Sequence, residues 1–235
     1  MNQKRSGTPV LETRSPLPPE NLAESFFHKL SQPIGALYAS LELGLMSDDS
    51  KQLKAAIEAG LTQLERLRWL FQAAREFFTI DFGAKTRKVS LRECVEAAVK
   101  DAEPLAESRQ VHFSFSGNQD AQVLADPAYL RDAIENVLSR CVRNSGRGAE
   151  IRLDIAINEN ASCVVISDQV RFDSQSNENV FEPFPPGVQI GPGQPGNLDL
   201  ALSQRVIRAF GAELTLKASA AGTNQFEITF PRHNS

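Results

Sequence analysis

The chain has 235 residues, 41% hydrophobic and 23% charged, with a formal net charge of −4. That is enough sequence for one or two domains with cores of their own, while the slight acidity argues against nucleic acid, whose binders carry a basic face. No apolar run approaches the roughly 18 residues of a membrane span. The three cysteines lack CxxC spacing and the polar N-terminus has no apolar block, so reduced thiols in a cytoplasmic protein are expected.

Residues 1–19 are polar and carry Pro9, Pro16, Pro18 and Pro19, which predicts a flexible arm. Two long helices follow in a hairpin over 20–83. Leu22, Phe26, Leu30, Ile34, Leu37, Leu41 and Leu45 recur at spacings of three or four, as one apolar stripe. Asp48, Asp49 or Ser50 can cap the second helix, which carries Leu53, Ile57, Leu61, Leu64, Leu67, Phe71, Ala74 and Phe78. Each helix spans roughly 40 Å at 1.5 Å per residue. Seven large apolar side chains per helix, at about 1.5–3 kcal/mol each when buried, call for another layer. A second copy supplies it, giving a homodimer with a four-helix bundle; packing on the chain's own C-terminal domain is the alternative.

From 84 to 235 the pattern alternates. Strands are expected at RKVS, VHFSF, QVLAD, EIRLDIAI and CVVISD. Helices are expected from Leu91 to about Ser108 and from Pro127 to about Arg143, with Pro127 in a first turn. Residues 169–196 hold five prolines and four glycines and predict an irregular stretch. A helix from Leu198 to about Phe210 and a hairpin, ELTLKAS and QFEITF, close an α+β sandwich, a mixed sheet with helices on one face.

The first stripe serves as a ruler. At about 100° per residue it occupies a sector about 140° wide, and His28 lies roughly 160° from its centre. Glu24, Gln32, Gly35 and Ala39 continue that outer face, which has little side-chain relief. Pro33, five residues after His28, removes a helical hydrogen bond and is expected to bend the helix. His112 and His233 lie apart from His28, so no metal cluster is expected.

Taken in order, HKLSQPI (28–34), LRDAIENVLSRCVRNS (130–145), VVISD ending at Asp168, VFEPF (180–184) and PGNLDLALSQRVIRAFGAELTL (195–216) resemble the boxes of sensor histidine kinase catalytic cores. The resemblance covers residues 20–231. It implies a phosphoacceptor hairpin followed by an α/β sandwich of the histidine kinase ATPase (Bergerat) type. His28 is then the phosphoacceptor, Asn136 a nucleotide-helix residue, Asp168 the adenine reader and 180–184 a lid box.

Departures fall on the ATP chemistry. Arg140 stands where the family has a magnesium-ligating asparagine, and a guanidinium offers only donors. Val170 and Phe172 replace glycines that admit a nucleotide; Asn197 and Asp199 replace others. Lys29 replaces the acid beside the histidine, the expected general base. The resemblance therefore extends to dimeric histidine phosphotransferases with degenerate kinase-like domains. The expected function is exchange of phosphate between His28 and a response-regulator receiver domain, with Glu24, Lys29, Gly35 and Ala39 as docking residues. Gln32 is a candidate for positioning water in receiver dephosphorylation. No cofactor is expected on the chain, and Asn136, Arg140, Arg143 and Asp168 form a vestigial nucleotide site. The alternatives are an ATP- and magnesium-dependent kinase core, and a non-catalytic dimeric scaffold.

Overall fold

Asp49 reverses the chain between the two long helices. Its carboxylate accepts from the Lys51 amide at 2.9 Å and its carbonyl from the Leu53 amide at 2.9 Å, the pattern of an N-cap. Helix α1 runs Pro19–Leu45 and α2 runs Ser50–Thr79. The computed structural model describes residues 19–79, 86–116, 120–177, 180–183 and 197–232. The arm expected before Pro19, the proline-rich part of the stretch at 184–196 and His233 lie outside the described residues, as do the side chains of Leu22 and Phe78.

Burial divides the expected single stripe in two. Leu30, Pro33, Leu37 and Gly44 of α1 form the seam with Gly60, Leu67, Leu70 and Ala74 of α2, all buried or half-buried. Small residues set its closeness. A Cβ added at Gly44 would stand 3.4 Å from Ala56 Cβ, and one at Gly60 3.3 Å from Leu37 Cδ1. Ile34, Leu41 and Leu45 turn away from this seam, as do Ile57, Leu61, Leu64 and Phe71 on α2, and all are exposed; Leu53, also exposed, still reaches the seam at Gly44. These form a second apolar stripe, roughly 70° around α1 from the first.

The described residues divide into two compact units. One holds α1 and α2 together with 180–183 and 197–202. In it Leu30 and Leu70 share a core with Leu198 and Ala201, flanked by Phe26, Leu67, Trp69 and Leu202. The other holds 86–177 and 203–232.

In the second unit a two-stranded antiparallel ribbon joins β1 (Arg87–Ser90) to β3 (Gln122–Ala125). Ser90 caps α3 (Leu91–Arg109) by accepting from the Glu93 amide, and Asp126 caps α4 (Pro127–Asn144) by accepting from Ala128, with Pro127 in the first turn. The main sheet contains β2 (His112–Ser116), β4 (Glu150–Ile157), β5 (Ala161–Arg171), β6 (Glu213–Ala218) and β7 (Thr223–Pro231), in the order β2-β4-β5-β7-β6. Among the described strands only β2 and β4 pair in parallel. Alternation along these strands buries one face: Ile151, Leu153 and Ile155, then Val164 and Ile166, then Phe226, Ile228 and Phe230. α3 and α4 bury Val95, Ala98, Ile134 and Val137, completing the expected sandwich. The irregular stretch starts later than expected. β5 continues to Arg171 through a register shift between Ser167 and Arg171, and a short helix α5 (Ser174–Asn177) follows.

Candidate functional site: an exposed histidine face and a buried aspartate

His28 is exposed on α1, and Glu24, Gln32, Gly35 and Ala39 are exposed on the same face. An added Cβ at Gly35 would meet nothing within 4 Å, so the chain itself leaves this surface open. α1 continues through Pro33. Proline there deprives the Lys29 carbonyl of its helical donor, while its ring is buried. Phe27, which the sequence reading did not single out, is also exposed and flanks His28 on the side of the open apolar stripe.

Lys29 corrects the expected docking face. Only 2% of it is accessible, so it offers no surface to a partner. One residue along a helix turns by about 100°, and this turn carries Lys29 away from the outer face to the flank of the hairpin seam. Burial, then the like charge of Arg66, pushes its ammonium pKa down, and Glu182 opposes this.

The nucleotide-type residues lie in the other unit. Asp168 is 4% accessible at the far part of β5. Its Oδ1 accepts from the Val170 amide at 2.9 Å and its Oδ2 from Asn224 Nδ2 at 3.4 Å. Asn177 Nδ2 in turn donates to Asn224 Oδ1 at 3.1 Å. Burial pushes the Asp168 pKa up, against the hydrogen bonds from Val170, Asn224 and Cys141. Asn136, on α4, donates from Nδ2 to Ser203 Oγ at 3.2 Å. Arg140 is half-buried; Arg143 is exposed, and its carbonyl accepts from Arg109 Nη1 at 3.1 Å. α4, β5, β7 and the Ser203 end of α6 (Leu198–Ala209) thus bring these groups into one domain.

The donor set on α4 does not suit magnesium, which takes oxygen ligands. The Asn136 amide is turned to Ser203, and Arg140 presents a guanidinium with no acceptor atom. Among the described residues no three His, Cys, Asp or Glu side chains gather in a metal-holding group. The three cysteines are free and buried; burial pushes the Cys163 thiol up to about 12, far from a reactive thiolate.

Ser203, Asn224, Cys141 and Glu182 were not legible as site residues. Ser203 and Asn224 meet Asn136 and Asp168 only through the fold, at separations of 67 and 56 residues.

A two-helix hairpin followed by a five-stranded mixed sheet under helices is the architecture of histidine kinase catalytic cores. Residues 125–234 match the family described as histidine kinase-, DNA gyrase B-, and HSP90-like ATPase. The chain is 26% identical over 221 residues to the sensor protein CzcS of Cupriavidus metallidurans, covering 87% of this chain and 44% of that protein. It is similar in fold to the Acinetobacter baumannii histidine kinase AdeS, with a TM-score of 0.59 and 18% identity over 88% of this chain and 98% of the other. It is likewise similar to the histidine kinase ThkA in its complex with the response regulator protein TrrA, with a TM-score of 0.62 and 16% identity over 91% and 61% of the two chains. In sequence and in fold the chain is thus similar to sensor histidine kinases. The chain spans less than half the length of the curated relatives it matches. No helix among the described residues is long and apolar enough to cross a membrane.

Proposed function

We propose that the chain is the phosphotransfer core of a two-component signalling protein, with His28 accepting a phosphoryl group and exchanging it with a response-regulator receiver domain. The exposed imidazole on an otherwise open helix face carries this reading. A pyridine-type ring nitrogen attacks phosphorus, an N–P bond forms and a P–O bond of the donor breaks; the second ring nitrogen then gives up its proton. Glu24, Gln32, Gly35 and Ala39 surround the point of attack and form the receiver's footing. The exposed stripe of Ile34 and Leu41 on α1 with Ile57 and Leu61 on α2 suits a second copy, which would complete a four-helix bundle.

Two phosphate donors are compatible with this chemistry. ATP is the better supported, because the similar proteins are sensor histidine kinases. Phosphoaspartate on the receiver is the second reading, a histidine phosphotransferase. The guanidinium of Arg140 on α4 and a buried lysine beside His28, where the resemblance leads one to expect an acid, favour it. The deciding experiment labels the full chain in parallel with ATP and with a phosphorylated receiver, each against His28→Ala. Labelling of His28 from ATP supports the kinase, and labelling from the receiver alone supports the phosphotransferase. Equal label on His28→Ala and the parent rejects both.

A further inference from the structure

Among the described residues two carboxylates are buried, Asp126 and Asp168. Asp126 serves as the cap of α4, whereas Asp168 stands in the register shift of β5 and caps no helix. A carboxylate so enclosed stays ionised only where hydrogen bonds replace its water. The Val170 amide serves Oδ1 at 2.9 Å, and Asn224 Nδ2 of β7 serves Oδ2 at 3.4 Å. Asn224 is itself buried, and its Oδ1 accepts from Nδ2 of Asn177, the last residue of α5, at 3.1 Å. Donor and acceptor of an amide lie in one plane on one carbon, so the bond from Asn177 sets the plane of Asn224 and thereby the aim of its Nδ2. The three residues form a chain from α5 through β7 to β5 in which every donor points toward the carboxylate.

We propose that Asn224 is a positioning residue which, held by Asn177, orients the Asp168 carboxylate and keeps it an ionised acceptor inside the sheet unit. A hydrogen bond to the charged form favours that form, so the chain works against the cost of burial. The remaining neighbours leave this task to Asn224 and the Val170 amide. From α4 comes the Cys141 thiol, which also donates to Asp168 and which burial keeps protonated, and Arg140, whose charge bears on that thiol. Strand alternation puts Arg152 and Asp154 of β4 and Glu227 of β7 on the opposite face of the sheet, where Glu227 pairs with Lys217 at 2.6 Å. The proposal goes beyond the phosphotransfer reading and holds for either phosphate donor, since it concerns the state of Asp168 and not what reacts at His28.

Titration of the Asp168 carboxyl carbon by NMR, on the full chain with carbon-13 aspartate, tests it; the signal is identified by its loss in Asp168→Asn. Asn224→Leu keeps the bulk of the side chain and removes the donor. It is expected to move the midpoint to higher pH, so that the ratio of protonated to ionised Asp168 at a given pH rises about tenfold. Asn177→Ala leaves the donor but frees its plane, and is expected to raise the ratio about threefold. Combined with Asn224→Leu it should add nothing, because Asn177 acts only through Asn224. A residue that merely filled space would leave the midpoint where it is. An unchanged or lower midpoint in either single variant overturns the proposal, as does an Asn177→Ala effect undiminished in the double variant. Unaltered hydrogen exchange of the β4–β7 amides is the sign of an intact fold, and where Asn224→Leu does not fold, the half-buried Asn177→Ala decides. Labelling of His28 is a separate readout, so failure of this proposal and failure of the phosphotransfer reading are distinguishable.

Discussion

Around His28 the helical unit presents an exposed ring, exposed neighbours one turn away on each side, and a glycine with open space above it. Around Asp168 the sheet unit encloses a carboxylate within donors from its own strand β5 and from β7. A nucleophile that meets a partner's phosphate needs only an accessible lone pair and a flat approach. A carboxylate that reads a ligand must be desolvated and still keep an acceptor free, which ties it to residues remote in sequence. The first demand is met by one helix face and the second only by a whole domain. This is why the phosphoryl chemistry proposed for His28 can be tested separately from the surroundings of Asp168.

The most severe test of this contrast is His28→Ala, expected to reduce acid-labile label to background from either donor while leaving thermal unfolding unchanged. Next is the open stripe: Leu41→Glu with Leu61→Glu removes about 1.5–3 kcal/mol of burial per side chain. Sedimentation equilibrium should then show the dimer weakened about a hundredfold or more; a mass equal to one chain in the parent protein refutes the second-copy bundle.

Asp168 probes the other unit. Its folded pKa is raised, so its contribution to stability is fully present below the unfolded value near 3.8 and is lost as pH rises through the folded pKa. The stability of the parent relative to Asp168→Asn should therefore fall as pH increases above about 4, and a difference independent of pH would show that the carboxyl is not perturbed by burial. Asp168→Ala should cost about 1–3 kcal/mol, because the Val170 amide and the Asn224 amide lose an acceptor.

The smallest effects separate two helical glycines. Gly35→Ala, in open space, should stabilise by up to about 1 kcal/mol from helix propensity. Gly60→Ala gains the same propensity but must push Leu37 Cδ1 aside from 3.3 Å, so it should come out less stable than Gly35→Ala by thermal unfolding. Equal effects would mean the seam is looser than its distances.

Much of the fold was legible because its signals are local. RKVS and EIRLDIAI form β1 and β4 with the expected bounds, and Pro127 opens α4. Asp49, one of three candidate caps, is the residue whose carboxylate accepts a helix-start amide. Periodicity also placed His28 on the outer face, since the angle between two positions on one helix needs no tertiary knowledge. It could not divide the stripe, because a leucine facing the hairpin partner and one facing outward carry the same spacing. Nor could it place Lys29, whose charge argues for solvent until the fold encloses it.

Amino-acid order alone specifies the periodic part: two long helices, the strands and their alternation, and an imidazole turned from the apolar side. Only the folded arrangement encloses Lys29, brings Asn136 to Ser203 and bonds Asp168 to Asn224. The two hydrogen-bonded pairs join residues 67 and 56 positions apart along the chain. No local preference encodes such separations; they follow from burying apolar faces together and then satisfying whatever polar groups the burial traps.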